Sequence, residues 1–150
     1  MPDPGDIDRY HRDVRAMLRY WEEKRQGRPM PARADIDPFE LKPFLPGIAI
    51  IDVVADERRY VYRLVGTREV AMRGRDPTGR SVNDAFYGAS AATSLASYDA
   101  VVNGRTPLFE NRRFVTPDGR SGDEEVVLLP LSDDGKTVTK ILAYTHHRLI

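Results

Sequence analysis

Cysteine is missing from this chain. That rules out disulfides, thiolate nucleophiles and cysteine-ligated metals, and it leaves no trace of the redox character of its compartment. There is no surplus of charge either. Lys+Arg and Asp+Glu both number 23, so no general field draws the protein to nucleic acid or to an anionic membrane. No apolar run approaches the ~18 residues of a membrane-spanning helix, and the opening MPDPGD is acidic without the apolar stretch of a secretory signal. The expectation is a cytoplasmic protein with neither membrane nor nucleic acid as partner. Histidine is scarce, at His11, His146 and His147. No Gly-x-Ser-x-Gly elbow, phosphate-binding loop or dinucleotide fingerprint is present.

What remains is ordinary globular composition: 41% hydrophobic residues, with seven Tyr, five Phe and a single Trp in 150 residues. That is one domain, long enough to bury a core. Ile7, Tyr10, Val14, Met17 and Trp21 recur at spacings of three and four, with Leu18 widening the stripe. They predict a helix to about residue 25, capped by Asp3 or Asp6. The stripe can pack on its own domain, or it can be the seam of a homodimer through Tyr10, Val14, Met17, Leu18 and Trp21.

Gly27, Pro29 and Pro31 end this helix. Asp37 followed by Pro38 reads as a cap and first helical residue of a short helix. Phe39, Leu41, Phe44 and Leu45 make that connector ordered, because they need somewhere to bury.

Residues 48–54 form a β-branched run, and 60–66 alternate as a return strand, so the pair is a hairpin. Thr67 caps a short helix that Gly74 ends in a left-handed conformation. Ser81 caps a second short helix. Residues 90–102 make the longest later helix, with Ala91, Leu95, Tyr98, Val101 and Val102 on one face and Asn103-Gly104 as its end. Three strands follow, at 108–115, 124–131 and 138–147. This order predicts an α+β fold: a five-stranded antiparallel sheet, short helices on one face and the N-terminal amphipathic helix available to the other.

The segments YRLVGT (62–67) and GRDPTGRSV (74–82) resemble a PAS sensory domain. The pair Tyr20-Trp21 and the segment PARADIDP (31–38) resemble those preceding the core in stand-alone bacterial PAS proteins. The resemblance runs from about Leu18 to the end. It divides the chain into an N-terminal helix with a proline-rich lead-in (1–46) and a PAS core (47–150). It implies a single-domain sensory or regulatory protein. Such a protein acts in bacterial signal transduction by small-molecule binding, protein–protein interaction or both, without enzymatic activity and without an output domain of its own.

Flavin-binding and cinnamoyl-binding PAS photosensors attach their chromophores through cysteine, which is absent. Haem-binding relatives use a histidine on the long helix, where residues 90–102 have none. Covalent flavin, a cinnamoyl chromophore and haem are therefore not expected.

The resemblance implies a pocket between the long helix and the sheet, with Tyr62, Arg63, Tyr98, Asn111 and Arg113 as ligand-binding candidates. An arginine among aromatics can fork onto a ligand carboxylate. Equally, Arg63 can pair with Glu69 or Glu110. His146 and His147 are adjacent on a strand, point to opposite faces and cannot easily share a metal. Asp123, Glu124 and Glu125 read as a charged turn, and Arg75 and Arg80 as part of a Gly-Pro turn. One alternative is a small cone-shaped enzyme of the isomerase or dehydratase kind. Another is a ligand-free interaction domain.

Overall fold

The computed structural model describes residues 7–85 and 91–149. Its strands are β1 (Ile48–Val53), β2 (Tyr60–Val65), β3 (Leu108–Val115), β4 (Ser121–Leu131) and β5 (Lys140–Leu149). They form one sheet in the order β2-β1-β5-β4-β3, antiparallel throughout. β1 and β5 occupy the interior of the sheet, which explains the β-branched run: Ile48, Ala49, Ile50 and Ile51 are all buried. The β1–β2 register slips between Ile50 and Ile51.

The helices are α1 (Arg12–Arg25), α2 (Thr67–Arg73), α3 (Val82–Ala85) and α4 (Ala91–Gly104). The periodicity expected of α1 is real, but the helix starts at Arg12. The residue that caps it is His11, whose Nδ1 accepts the Asp13 N–H at 3.1 Å. Asp3 and Asp6 lie outside the described residues. Val14, Met17, Leu18 and Trp21 are buried and belong to the same hydrophobic cluster as Leu129, Leu131 and Leu142. Each such side chain contributes about 1.5–3 kcal/mol. The Trp21 Nε1–H donates to the Pro130 carbonyl at 2.7 Å, so the one polar atom of that ring is satisfied inside the core. The apolar stripe is therefore covered by the chain's own sheet.

The proline-rich lead-in wraps back against α1. Tyr20 OH donates to Glu40 at 3.0 Å and accepts the Asp37 N–H at 3.0 Å. Where a short helix opened by Asp37-Pro38 was expected, there is a turn followed by a 3-10 helix over Lys42–Gly47. Pro43 and Pro46 lack the N–H groups that a regular α-helix would use there. Leu41 is buried, but Phe39 is 81% exposed, contrary to the expectation that it needed cover.

The remaining helix ends differ by a residue or two from those the sequence suggests. Gly66, not Thr67, is the N-cap of α2. Gly74 ends it as expected, at φ +83° with its N–H donating to the Val70 carbonyl. α4 runs through Gly104, and the left-handed residue that closes it is Arg105, at φ +58°.

α1 covers one face of the sheet, called the outer face below. α2 and α4 cover the other, inner face. β5 alternates between them: Ala143, Thr145 and His147 point inward, Leu142, Tyr144 and His146 outward.

Candidate functional site

The inner face carries a charged cluster under α2 and α4. His147 stands opposite Glu124 in the β4–β5 register, and Glu124 stands opposite Arg112 across β3–β4. α2 lowers Glu69 and Arg73 onto this row. His147 Nδ1 lies 3.3 Å from Glu69 Oε2, and its Nε2 lies 3.2 Å from Glu124 Oε2. All three side chains are at most 6% exposed. The approaches are within ion-pair distance but are not aligned as hydrogen bonds. The imidazole offers a different nitrogen to each carboxylate, so no single point is shared by all three. Among the described residues no three such groups are placed to hold a metal ion.

Burial pushes the Glu69 carboxyl up to about 7, against the pull of His147 and Arg73. Around the triad, Arg73 Nη1–H donates to Tyr62 OH at 3.1 Å, with its guanidinium 4.8 Å from the Tyr62 ring centre. Arg112 donates to Glu110 at 2.8 and 3.0 Å. Burial also pushes the Tyr98 hydroxyl upward, with Tyr62 adding to the effect. The space left among Tyr62, Glu69, Arg73, Tyr98 and Glu124 is about 40 Å³. That is near the ~30 Å³ share of one water molecule in the liquid.

The outer face is different. Beyond the N-terminal end of α1, a groove of about 710 Å³ opens between residues 9–11 and the far ends of β3, β4 and β5. Two cross-strand rows make its floor: Asn111–Glu125–His146 and Arg113–Asp123–Arg148. Glu125 accepts the His11 backbone N–H at 2.6 Å. The His11 and His146 rings stack with centres 3.7 Å apart and planes 9° apart. Burial, and then the neighbouring His11, hold His146 below the usual histidine value.

The five ligand-binding candidates are thus not one site. Tyr62 and Tyr98 meet at the inner cavity. Asn111 and Arg113 line the outer groove, with the sheet between. Arg63 is exposed and lies 3.9 Å from Asp52, so it pairs with neither Glu69 nor Glu110. Asp123, Glu124 and Glu125 are not a turn but the start of β4. The two histidines do take opposite faces, and His11 stacks on one of them. The loop at 74–80 borders the free edge of β2, with the Gly79 N–H donating to the Tyr62 carbonyl and the Tyr62 N–H to the Arg80 carbonyl.

Sequence reasoning missed Glu69, Arg73, Glu124 and His147 as a group. The available signal was that Glu124 and His147 sit at inward-facing strand positions, legible only once a register is assumed.

Comparison with curated proteins gives no match. Among solved structures, a light-oxygen-voltage domain studied with a flavin analogue is similar over 73% of this chain and 82% of its own, with TM-score 0.56 and 12% identity. The light-oxygen-voltage domain of the blue-light-activated histidine kinase EL346 of Erythrobacter litoralis matches 69% of this chain and 95% of its own, with TM-score 0.53 and 13% identity. A PAS domain from Colwellia psychrerythraea matches 75% of this chain and 98% of its own, with TM-score 0.51 and 13% identity. At such identities these three show the fold alone. The model of the PAS domain family matches residues 9–145, so α1 and the lead-in fall inside the match along with the sheet, and the chain belongs to the PAS domain family of sensory signalling domains.

Proposed function

We propose that this chain is a regulatory PAS domain of bacterial signal transduction, acting in the cytoplasm by binding a small molecule at its outer groove and passing the signal to a protein partner. The observation that carries this reading is the contrast between the two spaces. The inner cavity, lined by Glu69, Arg73, Tyr98 and Glu124 among others, holds only about 40 Å³. A pocket for a drug-sized molecule needs roughly 300–1,000 Å³. Flavin, named for one of the similar structures, does not fit the inner space, and no cysteine is available to attach it. The outer groove has the volume of a ligand pocket and is lined by polar groups. The family match favours this regulatory reading over a cone-shaped enzyme. Residues 47–150 are taken as the PAS core and residues 1–46 as its N-terminal helix and lead-in, a division supported by the sheet, whose first strand begins at Ile48.

Self-association as a homodimer is part of the proposal. Val14, Met17, Leu18 and Trp21 are covered by the sheet, so a contact through α1 uses its exposed flank. Tyr10, half-buried beside Phe109, is the accessible member of the five seam residues.

Native mass spectrometry on protein purified without refolding tests the reading, with a denatured sample to release what is bound. A dimer carrying a releasable small molecule is the expected result. A bare monomer at all concentrations, with no bound mass, overturns it.

A further inference from the structure

The outer groove has a feature that the packing of the fold does not require. In the row Arg113–Asp123–Arg148, one carboxylate stands between two guanidiniums. Arg113 Nε lies 3.0 Å from Asp123 Oδ1, and Arg148 Nη2 lies 3.8 Å from Oδ2. Both arginine side chains are about three-quarters exposed, at 73% and 78%. A guanidinium has five N–H donors, so Asp123 leaves most of each fork pointing at solvent. The second carboxylate on the floor, Glu125, already accepts the His11 N–H at 2.6 Å. Arg9 adds a further cationic side chain to the lining. The row Arg113–Asp123–Arg148 thus carries one net positive charge, on two arginines that are mostly exposed.

The stacked pair of imidazoles gives the site its second property. His11 Nδ1 accepts the Asp13 N–H, so the neutral ring carries its proton on Nε2. His146 is half-buried against that ring and faces Glu125 of β4, Asp13 of α1 and Arg68 of α2. A proton on His146 would place a positive charge against the stacked His11 ring and near the Arg68 guanidinium, both of which oppose it. An anion placed beside the rings and the guanidiniums would offset that opposition.

We propose that the rows Arg113–Asp123–Arg148 and Asn111–Glu125–His146, beside residues 9–11, bind a compact oxyanion, the phosphate or dicarboxylate group of a small molecule, with uptake of a proton by His146. The guanidinium forks take the oxygens, and the His146 imidazole supplies the pH dependence. This rests on the reading that the groove receives the domain's small molecule, and it names that molecule's chemistry.

The test uses the full chain titrated with sulfate, which keeps its charge across the range, at about pH 6 and about pH 8, following histidine ring resonances by NMR. Saturable shifts of His146, with affinity about tenfold tighter at the lower pH, are expected. The double variant Arg113→Gln/Arg148→Gln should weaken binding at least about tenfold with its melting temperature kept. His146→Gln, followed on the His11 ring, should bind about equally at both pH values, no tighter than the wild type does at about pH 8. Competition by an organic phosphate against a dicarboxylate identifies the source of the oxyanion. Shifts that grow linearly with salt, or equal binding in the double variant, overturn the proposal. If the double variant still carries a releasable small molecule in native mass spectrometry, the oxyanion site fails while the regulatory reading stands. If neither protein binds anything, both fail.

Discussion

His146 and His147 are consecutive in the chain and live in different media. His147 is 4% exposed between two buried carboxylates. His146 stands on the wall of an open groove, stacked on another histidine. The neighbouring acids divide in the same way: Glu124 is buried, and Asp123 is 41% exposed between two arginines. The alternation of a strand does this without any change of composition. On the inner face, charges are held away from water and each depends on its partner. On the outer face, water screens them.

The most direct way to break this comparison is to change one histidine at a time. His147→Leu should lower stability by about 1–3 kcal/mol near neutral pH, because Glu69 and Glu124 lose the buried polar ring between them. His146→Leu should cost about 1 kcal/mol or less. Chemical denaturation of both variants measures the difference, and equal losses would mean that the two faces are not electrostatically distinct.

Glu69 gives a test through pH. Its carboxyl is raised in the folded state from 4.5 to about 7. The folded protein therefore holds this proton more tightly than the unfolded chain does. The resulting stability is fully present below about pH 4.5 and is lost as pH rises through about 7, on the order of 3 kcal/mol in all. Asp56 and Asp134, held down to about 2, act in the opposite sense and at lower pH. Melting curves between about pH 5 and 8 should show wild-type stability falling with pH and that fall absent in Glu69→Gln. A parallel slope in the variant would remove Glu69 as the titrating group.

Smaller effects sharpen the contrast. Trp21→Phe keeps the ring in the outer-face core but leaves the Pro130 carbonyl without its donor, costing about 1–2 kcal/mol by denaturant titration. Arg113→Ala should change stability by less than about 1 kcal/mol, because its pair with Asp123 is exposed. A larger loss would make the outer row structural rather than a binding surface.

Much of the architecture can be read without coordinates. The spacing of Val14, Met17, Leu18 and Trp21 announces a helix with one buried face. β3 spans the residues that alternation marked out, and Gly74 ends α2 as a left-handed cap. The failures are of two kinds. Local signals misplace ends where a competing group takes over the role: His11 caps α1, and Arg105 accepts the left-handed turn expected nearer Asn103-Gly104. Average tendencies also fail for individuals. Phe39 stays in solvent, because the turn that follows Asp37 carries it away from the core entered by Leu41.

The candidate sites were barely legible. Tyr62 and Tyr98 were named together and do meet. Asn111 and Arg113 belong to another space, and Arg63 to neither. The reason is register. A slip of one residue exchanges the two faces of a strand, and nothing in β4 alone says whether Glu124 or Glu125 turns inward.

The sequence by itself determined the order of elements, the α+β class and the apolar stripe of α1, because these follow from periodicities within a few residues of one another. Only the tertiary structure decided which polar side chains meet. His11 and Glu125 touch across 114 positions of chain, and the triad of Glu69, Glu124 and His147 draws on α2, β4 and β5. Such contacts are set by strand pairing and helix docking, whose energies are summed over the whole core and written in no single segment.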